Sequence, residues 1–398
     1  MLRVTVALGA VACAAAFSPL AVSSVRKSFC VPATRSPQEI KMVAETTRGR
    51  GRAVRGEDLV LLGQGSTTPP MQALSEIIFL GTGSSSGTPM VGCVMKGEEG
   101  CEICKECVRN PSSKNARNNP SLLIRYRRDA APAEPATELE DCECTSTIII
   151  DVGKTFKRSA LSCFAKYKVK KVHAVCLTHE HADAIIGLDD LRELSMPPRN
   201  WRDILAQTPQ SDEHDFMKPM PIFLLPETLS HIKRVFPYLT KEPGAPEPKV
   251  QRYVSRLSWN PITPFRAFDC AGLQMLPVDL VHGGDCPTAG FIFGTQSRAV
   301  YLSDFNKIPP ETLAAVSKEP VDLLVLDCLL NNKDAPTHIG LPTALEIVRS
   351  VRPAQALLVG MSHSFGDHDG WNEKLKELEA EGVYVQLAHE GQRVLMRL

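Results

Sequence analysis

Thr178-His179-Glu180-His181-Ala182-Asp183 follows directly on the apolar run KVHAVCL. Two histidines two residues apart at the end of a strand can aim both imidazoles at one ion, and Asp183 adds a carboxylate just beyond. Metal-assisted hydrolysis needs this kind of grouping: neutral nitrogen donors and a carboxylate clustered on a loop that water can reach. His282 closes a second apolar run, LQMLPVDLVH, and Asp304 closes a third, RAVYLSD. A lone histidine is more often structural. His179, His181, His282 and Asp304 all fall at strand ends, and together they predict a catalytic metal centre.

A second constellation is built from thiols. GCVMKGEEGCEICKEC brings Cys93, Cys101, Cys104 and Cys107 into fifteen residues of chain. C-x2-C is a chelating spacing, because two thiolates on a tight turn can reach one tetrahedral ion at about 2.3 Å. The loop is too polar to pack by itself, so a structural zinc has a physical purpose there. The 13 cysteines are an odd number, which argues against a purely disulfide framework. Cys163, Cys176, Cys270 and Cys328 lie scattered in apolar runs and read as small buried hydrophobes. Cys142 and Cys144 receive no role.

The elements that must position these residues are legible in outline. The chain has 398 residues, 43% hydrophobic and 23% charged, enough for one large α/β domain with a tail. Lys+Arg and Asp+Glu are both 45, a formal net charge of zero, which gives no support to a generic binder of nucleic acid or membrane surfaces. EIIFLGTG, SLLIRY, STIIIDVG, PIFLLPE, GFIFG, VDLLVLD, QALLVGM and VYVQLAH read as strands, while LPTALEIVRSV and WNEKLKELEAE read as helices. ADAIIGLDDLREL has helical spacing. Strands in series followed by strand–helix alternation predict two sheets covered by helices in one domain, 73–398. Residues 127–145 and 196–220 read as surface insertions. Residues 41–72, with RGRGRAVRG and QGSTTPP, carry no periodicity and read as a linker. VTVALGAVACAAA is too short to span a bilayer and looks like a signal h-region. The basic, Ser-rich stretch after it resembles the second half of a bipartite algal presequence, so 1–40 predicts import into a plastid; a secretory or mitochondrial leader is the alternative.

From FLGTGSSSGTP through THEHADA, VHGG and YLSD, residues 75–398 resemble the metallo-β-lactamase superfamily. Within it the chain is most similar to the branch of the cyclic-phosphate phosphodiesterase of bacterial phosphonate breakdown (PhnP). It is closer still to plant and fungal hydrolases of that branch, which share its GLDDLR, GKTF and GM-[ST]-H patterns. The resemblance implies an α/β fold, an αββα sandwich with the metal site at the edge between its sheets. His179, His181, His282 and Asp304 fall on metal-ligand positions of the family, and Asp183 on the first ligand of a second metal. The Cys loop resembles a structural zinc site, Cys93, Cys101 and Cys104, with a late histidine matching His363. Spacing alone would have given His363 to the active site, and Cys107 is a possible substitute ligand. His338 matches a histidine that contacts phosphate or acts as general acid; otherwise it flanks a helix at the surface. Two departures stand out. Ala184 and Gly360 occupy positions where the family has second-metal imidazoles. A carboxylate-only remnant suits Mn²⁺ or Mg²⁺ better than Zn²⁺, unless Asp285, Asp367 or His368 fills in.

The expectation is a metal-dependent hydrolase of a small phosphodiester, with zinc at the structural and catalytic sites and a weak second site for Mn²⁺ or Mg²⁺. Asp183 would orient water and His338 would serve the phosphate. No membrane or nucleic-acid partner is expected, and a homodimer is compatible with the chain. A zinc-stabilised pseudoenzyme that binds a metabolite is the rival of a different class. An RNA-processing nuclease or thioesterase is the rival enzyme. His173, His214, His231 and His389 belong to no motif. GTGSSSG lacks the lysine of a phosphate loop, so nucleotide binding is not predicted there.

Overall fold

The computed structural model describes residues 54–55, 59–62, 74–128, 145–195, 218–240, 254–284 and 286–398. The presequence 1–40, most of both insertions, Cys142, Cys144, His214 and Asp285 lie outside the described residues.

Two sheets stack face to face. The first contains β1 (Val54–Arg55), β2 (Leu59–Leu61), β3 (Ser75–Gly81), β4 (Ser121–Arg127), β5 (Thr145–Ile150), β6 (Ala174–Cys176), β7 (Met220–Leu224), β8 (Leu257–Pro261) and the last strand, β16 (Arg393–Met396). Its spatial order is β1-β2-β16-β3-β4-β5-β6-β7-β8. The second contains β9 (Phe268–Cys270), β10 (Leu273–His282), β11 (Cys286–Phe293), β12 (Ala299–Leu302), β13 (Leu323–Asp327), β14 (Gln355–Val359) and β15 (Val385–Leu387). Successive strands of the chain are neighbours throughout, antiparallel from β9 to β12 and parallel from β12 to β15.

Alternate side chains explain the layering. Ile77, Phe79, Ile124, Ile148 and Ile150 of the first sheet meet Phe291, Phe293, Tyr301, Val325 and Leu357 of the second in one buried cluster. The opposite faces are covered too. Phe156 and Ile232 pack with Ile78, Leu123 and Ile149, whereas Val316, Ala344 and Val348 pack with Val300, Leu324 and Leu358. Strands buried on both faces read as unbroken apolar runs rather than alternating ones, as VDLLVLD does. The result is the expected αββα sandwich.

Two details differ from the sequence reading. Leu59–Leu61, inside the stretch read as a linker, pairs in parallel with β16, and Val60 and Leu62 are buried in the core between the sheets. Three residues give no periodicity to read, and the Arg-Gly run beside them disguises the strand. The run ADAIIGLDDLREL is not one helix. It breaks into Ala182–Ile185, the tight turn Ile186–Leu188 and Arg192–Ser195. Gly187 explains the break: its N–H reaches the Val152 carbonyl at 2.7 Å, and a Cβ there would lie 2.8 Å from the Gly153 carbonyl. Gly153 is equally confined, since its own Cβ would lie 1.8 Å from the Asp183 carbonyl. The GKTF loop is thereby pressed against the backbone that carries Asp183.

Candidate metal centre

His179 and His181 follow β6, His282 ends β10, Asp304 follows β12, and Asp327 ends β13. The strand ends of both sheets thus meet at one edge of the sandwich. His179, His181 and His282 each offer a nitrogen within 4.8 Å of the other two. Their ring centroids are 4.7 to 5.1 Å apart, and the rings stand edge to face.

The hydrogen bonds behind these rings settle which nitrogen faces inward. Thr178 donates its backbone N–H and its hydroxyl to the Asp151 carboxylate, both at 2.8 Å. With its proton so engaged, the Thr178 oxygen accepts from His179 Nδ1 at 2.9 Å. His179 Nε2 is then a bare acceptor, and it is buried with no hydrogen-bond partner. His282 Nδ1 donates to the Thr337 carbonyl at 2.8 Å, so its Nε2 is likewise left over. Metal-ligating histidines are held in this manner by their outer nitrogen. Burial depresses both His179, well below the usual range, and His282, to about 4; both are neutral and ready to ligate at neutral pH. The donor set therefore fits a divalent ion.

Carboxylates surround this triad. Asp183 Oδ1 lies 3.8 Å from His179 Nε2. Asp304 groups with His282 and His338, again within 4.8 Å of one another. Burial, with Asp183 and Asp327 nearby, pushes the Asp304 carboxyl well above its normal value. His338 Nδ1 pairs with Asp327 Oδ2 at 3.0 Å. Burial works against a charge on His338, but the Asp327 carboxylate outweighs it and holds the imidazole up to about 9. Both Asp151 and Asp304 sit at positive φ, 63° and 53°, a left-handed conformation that aspartate tolerates better than most residues.

Cys93, Cys101, Cys104 and His363 converge separately. Cys93 and Cys101 sulfurs are 3.5 Å apart, and His363 Nδ1 lies 3.4 Å from Cys101 Sγ and 3.5 Å from Cys104 Sγ. A tetrahedral ion with ligands at about 2.3 Å sets its donors roughly 3.8 Å apart, close to these separations. Backbone N–H groups of Cys101, Cys104 and Met90 point at the sulfurs of Cys93, Cys101 and Cys104. Burial pushes the Cys104 thiol up to about 12 and Cys107 up to about 11. Cys107 is buried but does not join the group.

Several residues escaped the sequence reading. Asp151 and Asp327 end apolar runs just as Asp304 does, and that was the signal available for them. Arg117 is buried and donates to the carbonyls of Ser362 at 3.0 Å and Gly366 at 3.2 Å, holding the loop that carries His363. Asn119 gives its amide to the Ser84 and Ser85 carbonyls and accepts from Thr155. Asp367 and His368, considered as substitute ligands, lie elsewhere. Asp367 caps the helix His368–Leu375, and His368 is bound to Asp369 at 2.9 Å and to the Leu387 carbonyl at 3.1 Å. His173 Nδ1 accepts from the Thr147 N–H at 2.9 Å, and His231 pairs with Glu180 at 3.5 Å.

The family description Beta-lactamase superfamily domain matches residues 146–361. A solved structure described as a new diphosphatase from the PhnP family is similar over 81% of this chain and 97% of its own, with a TM-score of 0.58 and 25% identity. Zinc-bound PqqB of Methylobacterium extorquens shares the fold over 80% of this chain and 99% of its own, with a TM-score of 0.55 and 15% identity. The octanoyltransferase of Porphyromonas gingivalis is 27% identical over 286 residues, 72% of this chain, and the chain spans 46% of that protein's length.

Proposed function

From a chain that belongs to the metallo-β-lactamase superfamily, in its PhnP-like branch, we propose a metal-dependent hydrolase that cleaves phosphodiesters. The superfamily makes it a member of a hydrolase family built around divalent metals. The observation that carries the finer reading is the pairing of three inward-facing imidazoles with His338, an imidazole that Asp327 anchors at 3.0 Å and, in the metal-free chain, holds up to about 9.

A divalent ion supplies Lewis acidity and a water acidified toward neutrality. The residues divide the remaining work. His179, His181 and His282 hold the ion, and zinc suits three imidazoles. Asp183, next to His179, orients the attacking water and takes its proton. Asp304 completes the ligand set. His338 faces the anionic substrate and steadies charge that builds on the phosphoryl oxygens, or returns a proton to the leaving oxygen. A cationic imidazole suits a phosphate better than a neutral acyl group, which favours phosphoester over thioester chemistry. The name of the PhnP-family diphosphatase points to the same bond class. The separate cysteine site takes a structural zinc, with no part in the reaction.

The experiment is turnover of bis(p-nitrophenyl) phosphate, an organic diphosphate and an acyl thioester by the purified chain, with Zn²⁺ and with Mn²⁺. Diester cleavage that disappears in His181→Ala and His282→Ala is the expected result. A chain that retains its metals and hydrolyses none of these would be a metabolite-binding pseudoenzyme instead.

A further inference from the structure

Position 360 has no room for a side chain while Asp327 keeps its place. Gly360 has a φ of +78°, and a Cβ built on it would lie 2.2 Å from Asp327 Oδ1. That oxygen is buried and has no hydrogen-bond partner, while the other oxygen of Asp327 holds His338 Nδ1 at 3.0 Å. Ala184, the other position where an imidazole is expected, is buried in an apolar cluster with Val152, Phe156 and Ile185. A second ion would thus find no nitrogen at 184 or 360. It would find one at 338. His338, Asp304 and His282 offer donor atoms within 4.8 Å of one another, so a shift of under about 1 Å brings them to the spacing of donors on one ion.

We propose that His338 is itself a metal ligand, the imidazole of a second cation site that shares Asp304 with the first. Three relations support it. The Asp327–His338 contact is the carboxylate–histidine arrangement that fixes a ligating imidazole: with Nδ1 engaged, Nε2 is left to face the centre. Asp327 excludes an imidazole at 360, so the nitrogen supplied from 338 and the one missing from 360 are alternatives. The buried carboxylates Asp183, Asp304 and Asp327 together demand a compensating positive charge. With no second ion His338 Nε2 is free to meet the substrate, and with one bound it ligates instead. An imidazole beside a carboxylate accepts Mn²⁺ readily, with water completing its shell. This inference rests on the metal centre of the proposed function, but not on its substrate.

The test uses the full chain with its tight sites filled by zinc, titrated with Mn²⁺ in the absence of substrate. Free Mn²⁺ is read by its electron paramagnetic resonance signal, and nitrogen couplings of the bound ion by pulsed measurements on protein labelled with ¹⁵N-histidine. One bound Mn²⁺ with a histidine nitrogen coupling is expected. His338→Gln should remove that coupling and weaken binding at least tenfold, and Asp327→Asn should weaken it less, with zinc content unchanged in both. Bound Mn²⁺ without a nitrogen coupling in the unaltered chain overturns the proposal, whatever the variants do. So does absence of Mn²⁺ binding, or unchanged coupling and affinity in His338→Gln. Retained Mn²⁺ binding with no cleavage of any phosphoester would refute the proposed function and leave this inference standing.

Discussion

Asp151 and Thr178 share two hydrogen bonds of 2.8 Å, one from the backbone N–H and one from the hydroxyl. This pair fixes the tautomer of His179 from two residues away, because the Thr178 oxygen can accept from Nδ1 only while its own proton goes to Asp151. Asp151→Asn should reverse the relay. The new amide would donate to Thr178 Oγ1, the hydroxyl would turn to His179 Nδ1, and the ring proton would move to Nε2. We expect the catalytic ion to bind about 10–100-fold more weakly, with the cysteine-bound ion unaffected. Chelator competition measures the first and total zinc content the second. Unchanged affinity would remove the relay from the account.

The same carboxyl predicts a pH dependence. In the metal-free chain burial holds Asp151 up to about 8, against the two Thr178 bonds. Below that pH it carries a proton and the Thr178 relay is not set; an arriving cation favours the ionised form that sets it. Affinity for the catalytic ion should therefore fall as pH drops below 8, with protons released on binding. Metal titrations in buffers of different ionisation heat count those protons. Binding that is flat from pH 6 to 8 contradicts this prediction.

Chelation of the cysteine-bound ion should cost stability rather than chemistry. Without a metal the Cys104 thiol is pushed up to about 12 by burial, so three sulfurs and His363 would share a polar pocket with no ion to bind them together. Cys104→Ser should lower stability by several kcal/mol, on the order of other losses of a structural metal. Calorimetry shows this as a lower Tm, while turnover per folded molecule stays near that of the unaltered chain.

The legible part of this molecule is what strand ends reveal. His179, His181, His282 and Asp304 each follow an apolar run, and a resemblance in motif order supplied His363. The structure groups His179, His181 and His282 together, Asp304 with His282 and His338, and His363 with three of the cysteines. What stayed hidden has no periodicity. Three-residue β2 is too short to show a pattern. Asp151 and Asp327 end apolar runs as Asp304 does, but no motif stands beside either to single it out. Arg117 is buried by the loop it holds, and that loop lies 245 residues further along the chain. Such contacts are tertiary facts, and local sequence carries no trace of them.

Glu390 offers a second pH signature, in stability. It is half-buried and accepts from Thr82 N at 3.1 Å, Thr82 Oγ1 at 3.2 Å and Asn118 N at 2.7 Å. Burial outweighs these bonds and lifts its carboxyl to about 7. A folded value above the unfolded value of about 4.3 means the folded chain holds this proton more tightly. That contribution is fully present below about pH 4 and is lost as pH rises to about 7. Glu390→Gln keeps the geometry, since Oε1 still accepts both N–H groups and the new amide can donate to Thr82 Oγ1. At pH 8 the variant should be the more stable by on the order of 1–2 kcal/mol, reduced by the water that reaches this half-buried group. Near pH 4 the difference should vanish. Urea unfolding at the two pH values decides it, and a difference independent of pH counts against the assignment.

Restoring the missing imidazole at position 360 should fail. Gly360→His places a Cβ 2.2 Å from Asp327 Oδ1 at a φ of +78°. The backbone conformation alone costs an L-residue roughly 1–2 kcal/mol, and the overlap forces either Asp327 or β14 to move. A destabilisation of about 3 kcal/mol or more is expected, in the range of strained substitutions at special backbone positions, with no additional tightly held ion. Asp327→Ala removes the obstructing oxygen, so the double variant should recover part of the loss. Its stability should depart from the sum of the single changes by at least about 1 kcal/mol, as contacting residues do. Moving Asp327 also releases His338 Nδ1, so the double variant should bind Mn²⁺ differently even where it folds well. Chemical denaturation and metal analysis of the three proteins give both readouts. If Gly360→His is as stable as the unaltered chain and holds one more zinc, then Asp327 does not occupy the imidazole's place, and the mutual exclusion of the two positions is wrong.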